Sequence, residues 1–323
     1  MTSDSGGLDN FANLADIRQS LMRWFAESAR DLPWRRTRDP YHIMVAEIML
    51  QQTQVDRVVP KYLAFLELFP TVEALAAAPT AAVIRAWTGL GYNRRAVNMQ
   101  RTARTVLEQH GGRFPRDVAT LRQLPGIGPY SAGAIACFAF EQDIAFMDTN
   151  IRRVVLRLFV GPEHGDAISA ARLLALAQAA IPPNHGWAWN QAIMELGALI
   201  CTAAAPACWR CPVRLSCCDY AARRATDEQL FGEVAAIGQP RGPRRIAERR
   251  EEPFAGSRRF YRGRIVEALR QMPPGETLSL AELGQRVKEN FSDADRAWLR
   301  GLVEGLARDG LLLLEDQTAR LPE

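Results

Sequence analysis

Four of the six cysteines lie close together in the last third of the helical part of the chain, at Cys201, Cys208, Cys211 and Cys217. The gaps between them hold six, two and five residues. Thiolates at such short spacing are typical ligands of a zinc ion or of an iron–sulfur cluster. Buried cysteines without a metal are the structural alternative. The spacing therefore predicts a metal site, and the residue types alone leave both metals open.

Two carboxylates, Glu47 and Asp148, lie in surroundings that suit acid–base chemistry. Glu47 lies within the apolar segment Val45–Leu50, where a carboxylate is costly to bury unless it is paired or functional. Burial raises the pKa of a carboxyl group and suits it to donate a proton. Asp148 comes just before a predicted helix, Ile151–Phe159. That position is also typical of a helix N-cap, which is its structural alternative.

A glycine turn, Leu124–Gly128, separates two predicted helices and precedes Asp148 by about twenty residues. Glycine adopts backbone angles that other residues avoid. The helix after the turn begins near Pro129 with unpaired amides and a positive dipole end, which can bind an anion such as a DNA phosphate. The turn alone is weak evidence, but the flanking helices and the downstream acid favour DNA binding.

Apolar residues recur at helical spacing through most of the chain, and prolines and glycines interrupt them. No alternating strand pattern occurs between about 14 and 221, so we expect an all-α fold there. We expect five segments: an N-terminal segment (1–40) packing on a cluster domain, a helical domain (41–142), the cluster domain itself (143–221), a basic linker (222–257) and a winged-helix-like domain (258–323).

The last segment has the layout of a winged helix. Three predicted helices, Tyr261–Gln271, Leu280–Glu289 and Ala294–Arg308, precede the apolar run Leu311–Leu314 and a turn. Winged helices commonly bind duplex DNA through the third helix and the wing. The arginines there are Arg296, Arg300, Arg308 and Arg320, and a further group, Arg258, Arg259, Arg262 and Arg264, clusters at the first helix. A solvated face, or a surface for a protein partner, is the alternative.

Composition agrees with an intracellular, cytoplasmic protein. No apolar stretch approaches the roughly 20 residues that span a bilayer, and Met1–Asn10 lacks the features of a signal peptide. The net charge is +4, and lysine occurs only at Lys61 and Lys288, so the other 38 basic residues are arginine. Arginine suits phosphate binding, although codon bias explains the excess equally well.

Several segments in order resemble the MutY-type adenine DNA glycosylases of the helix-hairpin-helix superfamily. They are Glu47–Gln54, Trp87–Tyr92, Leu124–Ile135, Asp148–Val154 and Glu195–Cys217. The resemblance spans about two-thirds of the chain. It implies a fold of two helical domains with DNA between them, and a 4Fe-4S cluster on the four cysteines. It also implies a monomer that excises adenine opposite 8-oxoguanine or guanine from duplex DNA and leaves an abasic site.

The resemblance also implies roles for single residues. Glu47 is the general acid that protonates N7 of a flipped adenine, and Asp148 stabilises the sugar cation, or traps it covalently, before water attacks. Tyr130 and Asn150 hydrogen-bond this pair. The residues implied to line the adenine pocket are Trp34, Arg35 and Gln191. Those implied to contact DNA are Gln51, Gln52, Tyr92, Gly126 and Gly128, with Gln52 and Tyr92 wedged into the base stack. Aromatic packing is the alternative for Trp34 and Tyr92.

Three departures keep alternatives open. The family usually carries a C-terminal Nudix-like domain that recognises 8-oxoguanine, whereas this chain has the winged-helix-like segment. Asn93 replaces a family tyrosine. Tyr130 stands where related lyases have a nucleophilic lysine, which predicts a monofunctional enzyme, but thymine-mismatch glycosylases share that tyrosine. Gln51 to Thr53 favours adenine over thymine or another base opposite guanine. A non-catalytic iron–sulfur DNA-binding regulator is the alternative of another class.

Overall fold

The computed structural model describes residues 13–162, 168–232 and 254–323. The helices are α1 Leu14–Ser28, α2 Pro40–Leu50, α3 Val55–Leu68, α4 Val72–Ala77, α5 Thr80–Ala86, α6 Arg94–His110, α7 Val118–Leu121, α8 Pro129–Phe140, α9 Thr149–Val155, α10 Ala170–Ala180, α11 Gly186–Leu199, α12 Cys218–Gly232, α13 Arg258–Arg270, α14 Leu280–Val287 and α15 Arg296–Arg308. The strands are β1 Leu278–Ser279, β2 Leu313–Glu315 and β3 Thr318–Arg320. The predicted helical fold is therefore confirmed.

No helix within the described ranges has the length and apolar character that crossing a membrane requires.

The chain divides into two compact units. Among the described residues, the first combines 13–43, 116–122, 127–162 and 168–232, and the second combines 44–115, 123–126 and 254–323. Each unit thus joins parts of the chain that are distant in sequence. The five segments expected from the sequence remain a prediction.

In the first unit, α8 and α11 position the segment that leads to Asp148. Helix α8 is rich in small residues, and a Cβ on Gly133 would lie 2.6 Å from the Cβ of Phe146. Phe146 packs edge-on against the rings of Tyr130 and Phe138, with ring centroids 5.4 Å apart in both pairs. This close approach, which needs a glycine on α8, places Asp148 at the start of α9.

In the second unit, the C-terminal segment shares a hydrophobic core with the helices α5 and α6. Ile84 and Val97 belong to the same buried cluster as Val266, Leu302 and other residues of α13 to α15. The C-terminal segment is therefore packed into the second unit rather than held by its linker alone.

The predicted helices and terminal hairpin of the C-terminal segment are present with shifted ends. Helix α13 begins at Arg258 because Ser257 caps it by accepting a hydrogen bond from the Phe260 amide. Helix α14 begins with a capping box between Ser279 and Glu282. The three strands form an antiparallel sheet in the order β1-β3-β2.

The segment expected to be a linker differs in part from expectation. Helix α12 runs to Gly232, so residues 222–232 are helical. The polar and charged residues of this segment make it less hydrophobic, but they do not end the helix. Only proline and glycine strongly disfavour a helix. The basic proline-rich part of the linker, residues 233–253, and the N-terminal residues 1–12 lie outside the described residues.

Candidate active site

Asp148 is held from two sides at the start of α9. One carboxylate oxygen, Oδ1, accepts a hydrogen bond from the Ile151 amide at 2.6 Å, which is an N-cap contact. The other oxygen, Oδ2, accepts one from the Asn150 side-chain amide at 3.3 Å. The structure thus brings Asp148 and Asn150 together as predicted, and it also realises the N-cap. One carboxylate can serve both purposes because each uses a different oxygen.

Arg153 ties this pair to the first cysteine, and sequence analysis missed it. Its guanidinium donates to Asn150 Oδ1 at 2.9 Å, to the Gly197 carbonyl at 2.8 Å and to the Cys201 carbonyl at 2.8 Å. Burial lowers the pKa of Arg153. Its position on the first turns of a helix capped by Asp148 was the available signal, but Gly197 and Cys201 lie more than 40 residues away in the sequence.

The residues implied to line an adenine pocket lie together in the first unit. Trp34 and Arg35 stand on a short helical turn, and Trp34 is only 7% exposed. Arg35 Nε donates to the side-chain oxygen of Gln191 on α11 at 2.8 Å. Arg35 also binds a Glu195 oxygen at 2.8 Å. This arrangement fixes the orientation of Gln191, and the role of these residues toward a base stays a prediction.

Glu195 is the anchor of that group, and sequence analysis did not single it out. Its side chain is 1% exposed and forms ion pairs with Arg30 and Arg35, both at 2.8 Å. The Arg30 amide donates to it as well, at 3.0 Å. Burial by itself would raise the pKa of Glu195, but the hydrogen bonds from Arg30 and Arg35 outweigh it and lower the pKa to about 2.

Replacing Glu195 by Gln is expected to lower the free energy of unfolding at pH 7 by about 3–5 kcal/mol, because it removes the buried carboxylate that two partly buried guanidinium groups share. The matched control is Glu141→Gln, which breaks an exposed ion pair with Arg38 and should cost less than about 1 kcal/mol. Denaturant titrations of both variants measure the difference. Equal losses in the two variants would contradict the anchoring role of Glu195.

The loss caused by Glu195→Gln should also depend on pH. A carboxyl whose pKa is lowered by folding adds stability above its unfolded value, near 4.5, and loses that contribution as the pH falls toward about 2. The difference in unfolding free energy between the parent and the variant should therefore shrink below about pH 4.5. Parallel stability curves between pH 7 and pH 3 would refute the charged state of Glu195.

In the second unit, Glu47 is buried on α2 at 3% exposure. Its atom Oε2 accepts no hydrogen bond from the described part of the chain. Gln51 and Gln52 follow at the end of the helix, and Gln52 has a left-handed backbone with φ 55°. A non-glycine residue in that region stores strain, which occurs preferentially at functional sites.

Arg95 joins the end of α2 to the loop that carries Tyr92, and sequence analysis missed it too. Its guanidinium donates to the carbonyl of Ile48 at 2.8 Å and to that of Leu90 at 3.0 Å. Burial lowers the pKa of Arg95 to about 10. Tyr92 has φ 46° and is 49% exposed, so it is not an ordinary packed aromatic residue. Arg95 thereby fixes the end of α2, which carries Glu47, next to the loop that carries Tyr92.

The two hairpin glycines serve different needs. Gly126 has φ 79°, and a Cβ there would lie 2.8 Å from the Cβ of Asn98. Both the conformation and the space require glycine. Gly128 is the N-cap of α8 with ordinary extended angles, and a Cβ there would meet nothing within 4 Å. It leaves open space in front of the helix amides, where the sequence predicts a DNA contact.

The four predicted ligand cysteines line one cavity together with Arg157 and other residues. Burial raises the pKa of Cys211 to about 11 and that of Cys217 to about 12, and nearby thiolates add to both shifts. Arg157 lies 3.5 Å from the sulfur of Cys201. Because Cys211 and Cys217 resist ionisation, a bound cationic group is needed to stabilise their thiolates.

The geometry of the thiols bears on which group they fit. In a 4Fe-4S cluster each of four thiolates binds its own iron. The four thiols around one cavity are a donor set that such a cluster would fit.

Known proteins share these features. The family model for HhH-GPD superfamily base excision DNA repair proteins matches residues 45–179. The adenine DNA glycosylase of Mycolicibacterium smegmatis is 39% identical over 307 residues, which covers 93% of this chain and 97% of that protein. The chain belongs to the adenine DNA glycosylase family. The family resemblance seen in the sequence motifs is thereby confirmed.

Other adenine DNA glycosylases match over different lengths. The Mycobacterium tuberculosis protein is 36% identical over 91% of this chain and 89% of its own length. The human protein is 40% identical over 71% of this chain but only 43% of its own length. A match over more than nine-tenths of the chain must include much of the C-terminal segment, so the mycobacterial family members share that segment.

Solved structures support the glycosylase fold. A thermostable thymine-DNA glycosylase superposes with a TM-score of 0.61 at 30% identity, covering 65% of this chain and 97% of that one. A trapped endonuclease III–DNA covalent intermediate gives a TM-score of 0.55 at 24% identity, covering 65% and 98%. The predicted helix-hairpin-helix glycosylase fold is confirmed. The roles of single residues in this adenine glycosylase family member remain predictions.

Proposed function

We propose that this chain is a monofunctional adenine DNA glycosylase of base excision repair. It removes adenine mispaired with 8-oxoguanine or guanine from intracellular duplex DNA, acts as a monomer and leaves an abasic site. The observation that carries the proposal is a pair of carboxylates in contrasting surroundings within a member of this family. Glu47 is 3% exposed in an apolar helix, whereas Asp148 is only partly buried at the start of α9 and accepts two hydrogen bonds. Such a contrast separates an acid from a charged stabiliser.

The chemistry follows from those roles. Glu47 donates its proton to N7 of the flipped adenine, and the bond between C1′ and N9 breaks with its electron pair going to the base. The negative charge of Asp148 stabilises the oxocarbenium-like sugar. Water then adds its hydroxide to C1′ and gives its proton to a carboxylate. No lysine is present at the hairpin, where Tyr130 stands, so the sugar is not captured as a Schiff base.

A panel of duplexes tests the target base. Duplexes carry adenine, thymine or uracil opposite guanine, 8-oxoguanine or cytosine, and alkali cleaves the abasic product. Strand cleavage is expected for adenine opposite 8-oxoguanine and guanine, and only after alkali. Cleavage of thymine opposite guanine in preference to adenine would overturn the proposal in favour of a mismatch thymine glycosylase. Tight binding without any cleavage would favour the non-catalytic regulator.

We further propose that Cys201, Cys208, Cys211 and Cys217 hold a 4Fe-4S cluster. When bound, such a cluster supplies a covalent cross-link among four points of the chain, and it needs no redox role to do so. Arg157 and Arg153 connect the loop to α9 through the carbonyls and the sulfur described above. The exposed Arg210 and Arg214 of the loop would then be held at a defined place, where arginine suits DNA phosphates.

Replacing Cys217 by Ser should remove most of the bound iron and lower thermal stability, because one ligand of the cluster is lost. The matched control is Cys218→Ser, next in the chain, whose thiol donates to the Leu158 carbonyl instead. Cys137→Ser is a second control. Metal analysis of the parent and both controls should give about four irons per chain. Stoichiometric zinc in the parent, or full iron in Cys217→Ser, would contradict the assignment.

A further inference from the structure

A broad cleft of about 1040 Å³ lies within the second unit, between the Tyr92 loop and the first C-terminal helix, α13. Six arginines line it: Arg57, Arg94, Arg95, Arg258, Arg259 and Arg262. No acidic side chain of the described chain lines this cleft. Its walls also include Gln52 and Tyr92, the two residues predicted to enter the base stack. The cleft is too large and too cationic to be explained as a packing defect, and the mechanism above does not use it.

The arginines of the cleft differ in how firmly they are engaged. Arg95 holds backbone carbonyls, and Arg57 donates to the Gly89 carbonyl. Arg94 and Arg262 share one carboxylate, that of Asp309. These four arginines carry four positive charges, and the carboxylate described in contact with them, that of Asp309, carries one negative charge. The walls keep a net positive charge, which attracts anions.

The first turn of α13 supplies the most accessible part of that charge. Arg258 forms no ion pair with a described residue, and Arg259 Nη1 lies 3.4 Å from the Tyr92 hydroxyl. Phe254, just before the helix, is exposed at the rim of the cleft. The guanidinium of Arg259 also lies over the Phe254 ring, 5.6 Å from its centroid. Arginine beside aromatic rings is a combination typical of surfaces that bind nucleic-acid strands.

We propose that this cleft binds the sugar–phosphate backbone of one DNA strand, next to the point where Tyr92 enters the base stack. Arg258 and Arg259 contact its phosphates. The C-terminal segment thus joins the DNA-binding surface through its first helix, α13. The inference rests on DNA binding by this family and does not depend on which base is excised.

This assignment differs from the usual use of a winged helix. In the third helix, α15, Arg296 pairs with Asp293 and Arg300 pairs with Glu304. In the wing, Arg320 pairs with Glu315 and Glu323. These arginines, which the sequence favoured as DNA contacts, are neutralised by neighbouring acids. Arg258 and Arg259 of α13 line the cleft beside Tyr92, so this surface offers them for phosphate binding.

Two partly buried arginines connect the C-terminal segment to the rest of the second unit. Arg270 donates to the Ile84 carbonyl at 3.0 Å and to Asn93 Oδ1 at 2.7 Å. Arg85 donates in the other direction, to the Met272 carbonyl at 2.6 Å. Deleting the segment would uncover Ile84 and Val97 of the shared core. Point variants of the full chain are therefore the proper test, because truncation would confuse lost folding with lost binding.

The test compares two double variants that each remove two positive charges. One is Arg258→Ala with Arg259→Ala, and the matched control is Arg296→Ala with Arg300→Ala. The probe is a 30-base-pair duplex with a tetrahydrofuran abasic analogue opposite guanine, so no excision is required. The α13 variant should bind about tenfold more weakly near physiological salt, and the slope of log K against log salt should flatten by roughly two. The control should keep the parental affinity and slope.

A second measurement locates the contact. Single methylphosphonate substitutions along each strand of the duplex remove one phosphate charge at a time. The parent should bind more weakly when the substitution falls at a few adjacent positions of one strand. The α13 variant should bind the same substituted duplexes as well as it binds the unsubstituted duplex. Unfolding midpoints of both variants show whether they are folded. Parental affinity and slope in a folded α13 variant would overturn the proposal, as would an equal loss in the control. Under either result the cleft has another ligand, such as an acidic protein segment.

Discussion

Replacing Glu47 by Gln is expected to slow base release by about 10²–10⁴-fold in single-turnover experiments, which is the usual loss when a general acid is removed. The substitution keeps the shape of a side chain that is only 3% exposed and removes its titratable proton. Binding of the uncleaved mispair should be largely retained, because the interactions with the phosphates and the bases next to it are unchanged. Rates are measured at enzyme excess with an adenine opposite 8-oxoguanine, and affinities on the same duplex.

The matched control is Glu67→Gln, which makes the same change at an exposed position on α3. It should release adenine at the parental rate. A Glu47→Gln variant that binds the mispair and excises at close to the parental rate would remove Glu47 from the mechanism. A variant that neither binds nor folds would be replaced by Glu47→Ala, with folding checked by thermal unfolding.

The second large effect is expected for Asp148→Asn, with a loss of about 10²–10³-fold in the same experiment. Asparagine is as good an N-cap as aspartate, so the hydrogen bond from the Ile151 amide and the stability of α9 should be kept. What the variant loses is the negative charge beside the sugar cation. The two roles of Asp148 are thus separated by a single substitution.

Asp117→Asn is the control for that substitution. Asp117 caps α7 by accepting a hydrogen bond from the Thr120 amide at 2.8 Å, and it is not part of the predicted site. Both variants should keep the parental unfolding midpoint, and only Asp148→Asn should lose activity. If Asp148→Asn excises adenine normally, its carboxylate is an N-cap and nothing more.

Local signals predicted much of what the structure contains. Helical periodicity located the helices, because a buried stripe recurs every three to four residues wherever a helix packs on a core. The turn Leu124–Gly128 was predicted from glycines, and Gly126 does adopt a backbone that favours glycine. Asp148 at a helix start is likewise a local signal. Each of these features depends on residues that are near each other in sequence.

Features that depend on distant partners were not predictable in this way. Arg30, Arg95 and Arg153 each hydrogen-bond near a predicted site residue. They are three of 38 arginines, and nothing in their neighbouring sequence distinguishes them from the others. Their partners lie up to 165 residues away, as for Arg30 and Glu195. The shared core of the C-terminal segment was missed for the same reason. Periodicity shows that a face is buried, but it does not show which helix covers it.

The most direct test of the central claim identifies the released base. A duplex with one adenine opposite 8-oxoguanine is incubated with excess protein, and the free base and both strands are analysed by mass spectrometry. Free adenine is expected in an amount equal to the abasic sites formed, with both strands uncut until alkali is added and with release by Glu47→Gln slowed by about 10²–10⁴-fold. Release of a base other than adenine, strand cleavage without alkali, or no free base at all would contradict this function.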